Sequence, residues 1–256
     1  MPSIAELRAV TQPESLLLRP GEEHWAGRLY MRRLSPYVTR VLVATPLSAD
    51  AVTALMIAAG ILAAFSLTLP GILPAVGAVL LAQIWLLLDC CDGEVARWRR
   101  TFSPVGIYLD GLSHFATQAA LPAALGIRAD GGWDSIGGWT TLGLLVSVLV
   151  SLVSLESYLV HFVRARGGKP LLDEGREASV PRPRALRRLR RAVRFLPFYR
   201  AFNPIEGTLL ALIAAAADTF TGDLGATRVL LLAVAAAAAV TVVGHLVAIL
   251  SSDRLT

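Results

Sequence analysis

Residues 89–114 read DCCDGEVARWRRTFSPVGIYLDGLSH. They follow directly on an apolar run, LLAQIWLLL at 80–88, and apolar sequence resumes soon after His114. Asp89 and Asp92 therefore fall in the last turns of one apolar helix, and Asp110 and His114 in the early turns of the next. A carboxylate at the centre of a membrane helix costs roughly 2.5–3.5 kcal/mol, less near the edge. Such residues are usually paired, turned to an aqueous cavity or bound to a metal. Asp89 and Asp92 are three apart, and Asp110 and His114 four apart, so each pair shares a helix face. At a rise of about 1.5 Å per residue, the first pair lies about 7–12 Å in from Arg97, and Asp110 about 10 Å in from Ser103. A short turn makes the two helices antiparallel neighbours, so three carboxylates and an imidazole reach one depth. A divalent cation removes their repulsion, and oxygen ligands favour Mg2+ or Mn2+.

The rest of the chain fits a membrane setting. Of 256 residues, 55% are apolar and only 17% charged, against about a quarter charged in soluble domains. Mean hydropathy is +0.59, which also excludes a disordered chain. The two cysteines, Cys90 and Cys91, are adjacent, which excludes a disulfide framework and a Cys-ligated zinc site; they read as small apolar fillers. A net charge of +5 and a pI near 9.8 point to loops facing anionic lipid rather than to nucleic acid.

Six Leu/Ala-rich stretches are long enough to span a bilayer: 51–69, 72–97, 104–126, 139–163, 204–220 and 226–250. They lack the period-two alternation of a β-barrel. The expected fold is therefore all-α: a polytopic membrane protein with six transmembrane helices, an N-terminal interfacial helix and no internal repeat. The second and third stretches carry several charges, and the fifth is short. The first 30 residues contain Glu14, Glu22 and Glu23 and no apolar core of signal-peptide length, so the first span is expected to act as the insertion signal.

With six spans, 22 of the 24 Lys and Arg lie on one side, and only Arg128 and Arg228 on the other. The positive-inside rule then places both termini, the 2–3 turn and the 4–5 loop in the cytoplasm, in the inner membrane if the cell is bacterial. The organisation expected is a segment 1–50, a membrane domain 51–250 with a basic loop 164–200, and a tail 251–256. In residues 22–46, Trp25, Leu29, Tyr30 and Leu34 can face lipid while Arg28, Arg32 and Arg33 face headgroups; a plain cytoplasmic helix fits equally well. Ser48 or Asp50 can cap the first span. The loop reads as flexible, with a short basic helix at Ala185–Val193.

The small residues Gly93, Ala96 and Gly106 leave room for a ligand or for close helix contact. Arg97 suits a phosphate, or a positive-inside flank. Glu156, His161, Glu206 and His245 fall on the same side as the acidic stretch. They can line an acceptor pocket, Glu206 foremost, or simply bond helix to helix.

These residues resemble the CDP-alcohol phosphotransferase (CDP-alcohol phosphatidyltransferase) family, whose motif is D-x2-D-G-x2-A-R-x8-G-x3-D-x3-D. The sequence keeps every spacing through Asp89, Asp92, Gly93, Ala96, Arg97, Gly106 and Asp110, and carries His114 in place of the last Asp. The six spans also look like that family. The resemblance implies transfer of a phosphoalcohol group from a CDP-alcohol to an acceptor hydroxyl with release of CMP, in phospholipid biosynthesis. It implies divalent metal on Asp89, Asp92 and Asp110, and a cytidine diphosphate site lined by Gly93, Ala96, Arg97 and Gly106. His114 would be the general base or a further metal ligand. The arginine-rich side favours CDP-diacylglycerol as donor and a polar alcohol as acceptor over a soluble CDP-alcohol with a lipid acceptor. A homodimer is also implied. Two alternatives stand beside this reading: an inactive family member acting as a membrane partner, and an ion transporter. Transport is disfavoured because the polar groups cluster at one edge.

Overall fold

The structure, a computed structural model, describes residues 1–13, 24–170, 201–252 and 254–255, all of whose regular elements are helices. The proposed helix at 185–193 and most of the basic loop lie outside the described residues. Helix α1 (Ile4–Thr11) is followed by a π-helical turn (Gly27–Met31) that runs into α2 (Arg32–Leu42). Six long helices come next: α3 (Ala49–Thr68), α4 (Ile72–Arg99), α5 (Pro104–Asp130), α6 (Gly138–Arg166), α7 (Pro204–Thr221) and α8 (Gly225–Leu250). They coincide with the six apolar stretches to within a few residues. Helices α3, α4, α6 and α8 are long and apolar enough to cross a membrane, with mean hydropathies of 2.1, 2.0, 2.0 and 2.4 over their best windows. Helix α5 carries Asp110, Arg128 and Asp130, and α7 is 18 residues long and carries Glu206 and Asp218, so neither has that composition.

The start signals work as the side-chain chemistry requires. Ser48 caps α3 by accepting from the Ala51 N–H at 3.1 Å, and Ser103 caps α5 by accepting from Gly106 at 2.8 Å. Between α4 and α5, Arg100 takes a left-handed conformation, φ +55°, that ends α4. The next helix starts four residues later, so the two are antiparallel. Helix α3 packs on both, α6 packs on α5 and α8, and α7 packs on α4 and α8. The backbones of α5 and α6 approach closely. A Cβ on Gly126 would stand 2.6 Å from the Trp139 carbonyl oxygen, and one on Gly143 2.6 Å from that of Pro122. Small residues at a helix crossing let backbones touch where lipid offers no hydrophobic drive.

The N-terminal segment packs on α4. Leu29 and Leu34 are exposed, as expected of lipid-facing positions. Tyr30 and Arg32 instead turn inward: the Tyr30 hydroxyl donates to Gln83 Oε1 at 2.6 Å, and Arg32 Nη1 lies 3.9 Å from Glu94. At the corner before α3, Arg99 donates to the carbonyls of Leu42, Thr45 and Leu47. A cation expected to mark topology thus also ties α4 to the N-terminal arm.

The opposite end of the bundle is richer in polar bonds than its apolar sequence suggests. Arg128 is fully buried and donates to the carbonyls of Leu69 and Gly71 at 2.6 and 2.8 Å. Asp130 accepts from Gly137 and Thr140, and Asp218 from Ala226 and Thr227. Arg228 donates to the Ala129 carbonyl. Each group satisfies backbone left unpaired at a helix end.

Candidate functional site

The antiparallel pair α4 and α5 brings Asp89, Asp110 and His114 together. One donor atom from each lies within 4.8 Å of the others. His114 Nε2 is 3.1 Å from Asp89 Oδ1 and 3.5 Å from Asp110 Oδ1. The three side chains are 26%, 48% and 40% exposed, so the group is reachable rather than sealed. The imidazole is also braced. The Trp85 ring meets it edge-on, centroids 4.8 Å apart, and Trp85 Nε1 donates to Ser113 Oγ at 3.0 Å.

The third carboxylate of the motif, Asp92, also bonds to a neighbouring helix. It is buried, and its Oδ2 accepts from the Thr53 hydroxyl of α3 at 2.8 Å. Its other oxygen takes the N–H of Gly93. One helical turn from Asp89, it bonds across to α3, where a hydroxyl meets its desolvated carboxylate.

The small residues divide. A Cβ on Gly93 would stand 3.1 and 3.2 Å from Arg97 Nη1 and Nη2, so glycine there leaves room for the terminal nitrogens of the guanidinium. A Cβ on Gly106 would stand 2.7 Å from Asp50 Oδ1. Asp50 itself accepts from Ser103 Oγ at 3.1 Å. Gly106 therefore admits a carboxylate from α3 that the motif did not announce. Ala96 is half-buried near the end of α4, where its carbonyl accepts from Thr101. Arg97 is neither a bare flank nor adrift: its Nε donates to the Thr11 carbonyl of α1 at 2.6 Å.

Glu206 is not brought to the group. Its two oxygens take His24 Nε2 at 2.7 Å and Trp25 Nε1 at 2.8 Å, so it brackets the N-terminal arm to α7. Glu156 pairs with His245 at 2.8 Å, which is the helix-to-helix bond; His161 is not part of it. Sequence reasoning passed over Glu94, between Gly93 and Arg97. It is fully buried and surrounded by Gln12, Ser35, Thr39 and Arg32.

Two carboxylates and an imidazole at these separations suit a divalent cation with mixed oxygen and nitrogen ligands. Small side-chain rotations bring such donors into its reach. Residues 46–171, which include every motif position and helices α3 to α6, match the sequence profile described as CDP-alcohol phosphatidyltransferase. No curated protein matches the chain.

Proposed function

Residues 46–171 make this chain a member of the CDP-alcohol phosphatidyltransferase family, and on that premise we propose that it moves a phosphatidyl group from CDP-diacylglycerol to a polar alcohol. Membership alone carries transfer of a phosphoalcohol group from a CDP-alcohol in a membrane. The donor, the metal and the residue roles are our reading. The observation that supports it most is the meeting of Asp89, Asp110 and His114 at the α4–α5 turn, inside the matched segment.

In this reading Asp89 and Asp110 hold a divalent ion, Mg2+ or Mn2+, with Asp92 able to join on leaving Thr53. When bound, the ion neutralises the diphosphate and polarises it toward attack. Arg97, with its terminal nitrogens beside Gly93, contacts the diphosphate oxygens. Gly106 and Ala96 keep the approach to α5 open for the nucleotide. The acceptor oxygen forms a bond to the phosphorus that carries the alcohol, and the anhydride bond to CMP breaks, its electron pair leaving with CMP. The hydroxyl proton passes to His114. A neutral imidazole is a competent base near neutral pH, and His114 Nε2 lies 3.1 Å from Asp89 Oδ1, which orients the ring.

We place all six long helices across the bilayer, with the termini and the site on the cytoplasmic side, from the charge asymmetry of 22 against two. There the soluble nucleotide and the lipid tails both find their medium. The chain is taken to work as a homodimer. The test is CMP release by purified protein in detergent, with Mg2+ or Mn2+. CDP-diacylglycerol is supplied with pooled polar alcohols, then CDP-choline or CDP-ethanolamine with diacylglycerol. Metal-dependent release with the first pair, lost in Asp92→Asn, is expected. Release only with the second pair reverses the donor assignment. No release with either from folded protein that binds CDP favours an inactive member.

A further inference from the structure

Glu94 is the one fully buried carboxylate among the described residues. It accepts from Ser35 Oγ at 2.5 Å, Thr39 Oγ1 at 2.6 Å and Gln12 Nε2 at 2.8 Å, with Arg32 Nη1 at 3.9 Å. Its partners come from the end of α1 and from one face of α2, so one carboxylate joins both helices to α4. A buried carboxylate so surrounded is costly to disturb, because each lost donor leaves a desolvated acceptor.

The contacts continue to the motif. Gln12 Nε2 also donates to the Arg32 carbonyl at 2.8 Å, which joins the end of α1 to α2. The residue before it, Thr11, is buried, and its carbonyl receives Arg97 Nε at 2.6 Å. With Nε held, the guanidinium plane is set, and Nη1 and Nη2 lie 3.1 and 3.2 Å from where a Gly93 Cβ would stand. Glu94 and Arg97 are three residues apart, so both meet the arm on one helix face.

We infer that Glu94 is a positioning residue, and that the N-terminal arm it holds is part of the nucleotide site because it fixes the plane of the Arg97 guanidinium. Planar recognition of a diphosphate by Arg depends on that plane, not only on charge. The inference rests on the reading of Arg97 as the diphosphate contact.

The experiment is calorimetric titration of the full chain in detergent with CDP and Mg2+. The proteins are wild type, Glu94→Gln, Gln12→Ala, Arg97→Lys and the Gln12→Ala/Arg97→Lys double variant, each with its melting temperature. Glu94→Gln, Gln12→Ala and Arg97→Lys are each expected to weaken CDP by about tenfold. The double variant should bind no more weakly than Arg97→Lys alone, since Gln12 acts only through the guanidinium. A lowered melting temperature with wild-type CDP affinity in Gln12→Ala makes the arm merely structural and overturns the inference. Additive losses in the double variant overturn it as well. If Glu94→Gln does not fold, Gln12→Ala at the edge of the cluster carries the test. Wild-type protein that does not bind CDP overturns the functional reading itself, a result distinct from either.

Discussion

The two ends of the helical bundle treat their charged groups in opposite ways. At the end formed by the α3–α4, α5–α6 and α7–α8 turns, Arg128, Asp130 and Asp218 are each spent on backbone groups and hydroxyls. At the α4–α5 turn, Asp89, Asp110 and His114 face one another and remain partly exposed. The first arrangement is what a fold needs, because buried polar groups are satisfied by neutral partners. The second sets an imidazole between two carboxylates, within ion-pair reach of both, and leaves the three partly exposed, which is the arrangement the proposed cation site uses. Burial of a carboxylate in an apolar helix is thus no guide to function on its own. What its oxygens touch separates Asp218 from Asp89, and Glu94 from both.

The sharpest break of this contrast comes from His114. His114→Ala should lower turnover by about 10²-fold, within the range for loss of a general base, while the melting temperature stays near wild type. His114→Asp restores the family motif and should also lose turnover, because Trp85 and Asp89 are arranged around an imidazole. A large gain from His114→Asp would mark the native site as degenerate. At the other end, Asp218→Ala should cost about 1–3 kcal/mol of stability, the range for stranded donors, with turnover per folded molecule unchanged. Thermal unfolding and CMP release on the same preparation read both quantities.

The smallest effect is at α1. The Ser3 backbone N–H and hydroxyl hold the Glu6 carboxyl below its usual range, closing a capping box. A lowered folded-state pKa means that the contribution is present above the unfolded value and fades as pH falls through the folded one. Protection of the α1 amides, corrected for intrinsic exchange, should therefore drop on acidification below about pH 4, and Glu6→Gln should remove that dependence.

Much of this was legible along the chain and some was not, for one reason. Spans announce themselves by length and apolarity, and the start of α3 announces a cap at Ser48 or Asp50, of which Ser48 is the one that bonds. The Asp89–Asp110–His114 meeting follows from helical spacing plus a short turn, which are local facts. Asp92 turns to Thr53, 39 residues away, and nothing in the local pattern distinguishes it from Asp89. Glu94 belongs to no local pattern, and its partners lie 55 to 82 residues upstream. A faint signal existed in Ser35 and Thr39, four apart in a basic helix and thus on one face. Arg128 enters the sequence reading only as a charge on the minority side, yet it is buried and donates to two turn carbonyls. Tertiary satisfaction of polar groups is not written in periodicity.

The most direct measurement is CMP release by Asp110→Asn beside wild type, with metal and the productive donor saturating. Asp110→Asn should lose about 10²-fold or more in turnover, the scale of removing metal and charge stabilisation. Its melting temperature should be unchanged or raised, since a repulsive carboxylate is gone. Wild-type turnover in Asp110→Asn, or a loss of turnover matched by a loss of folded protein, would contradict the assignment of the α4–α5 cluster as the reaction site.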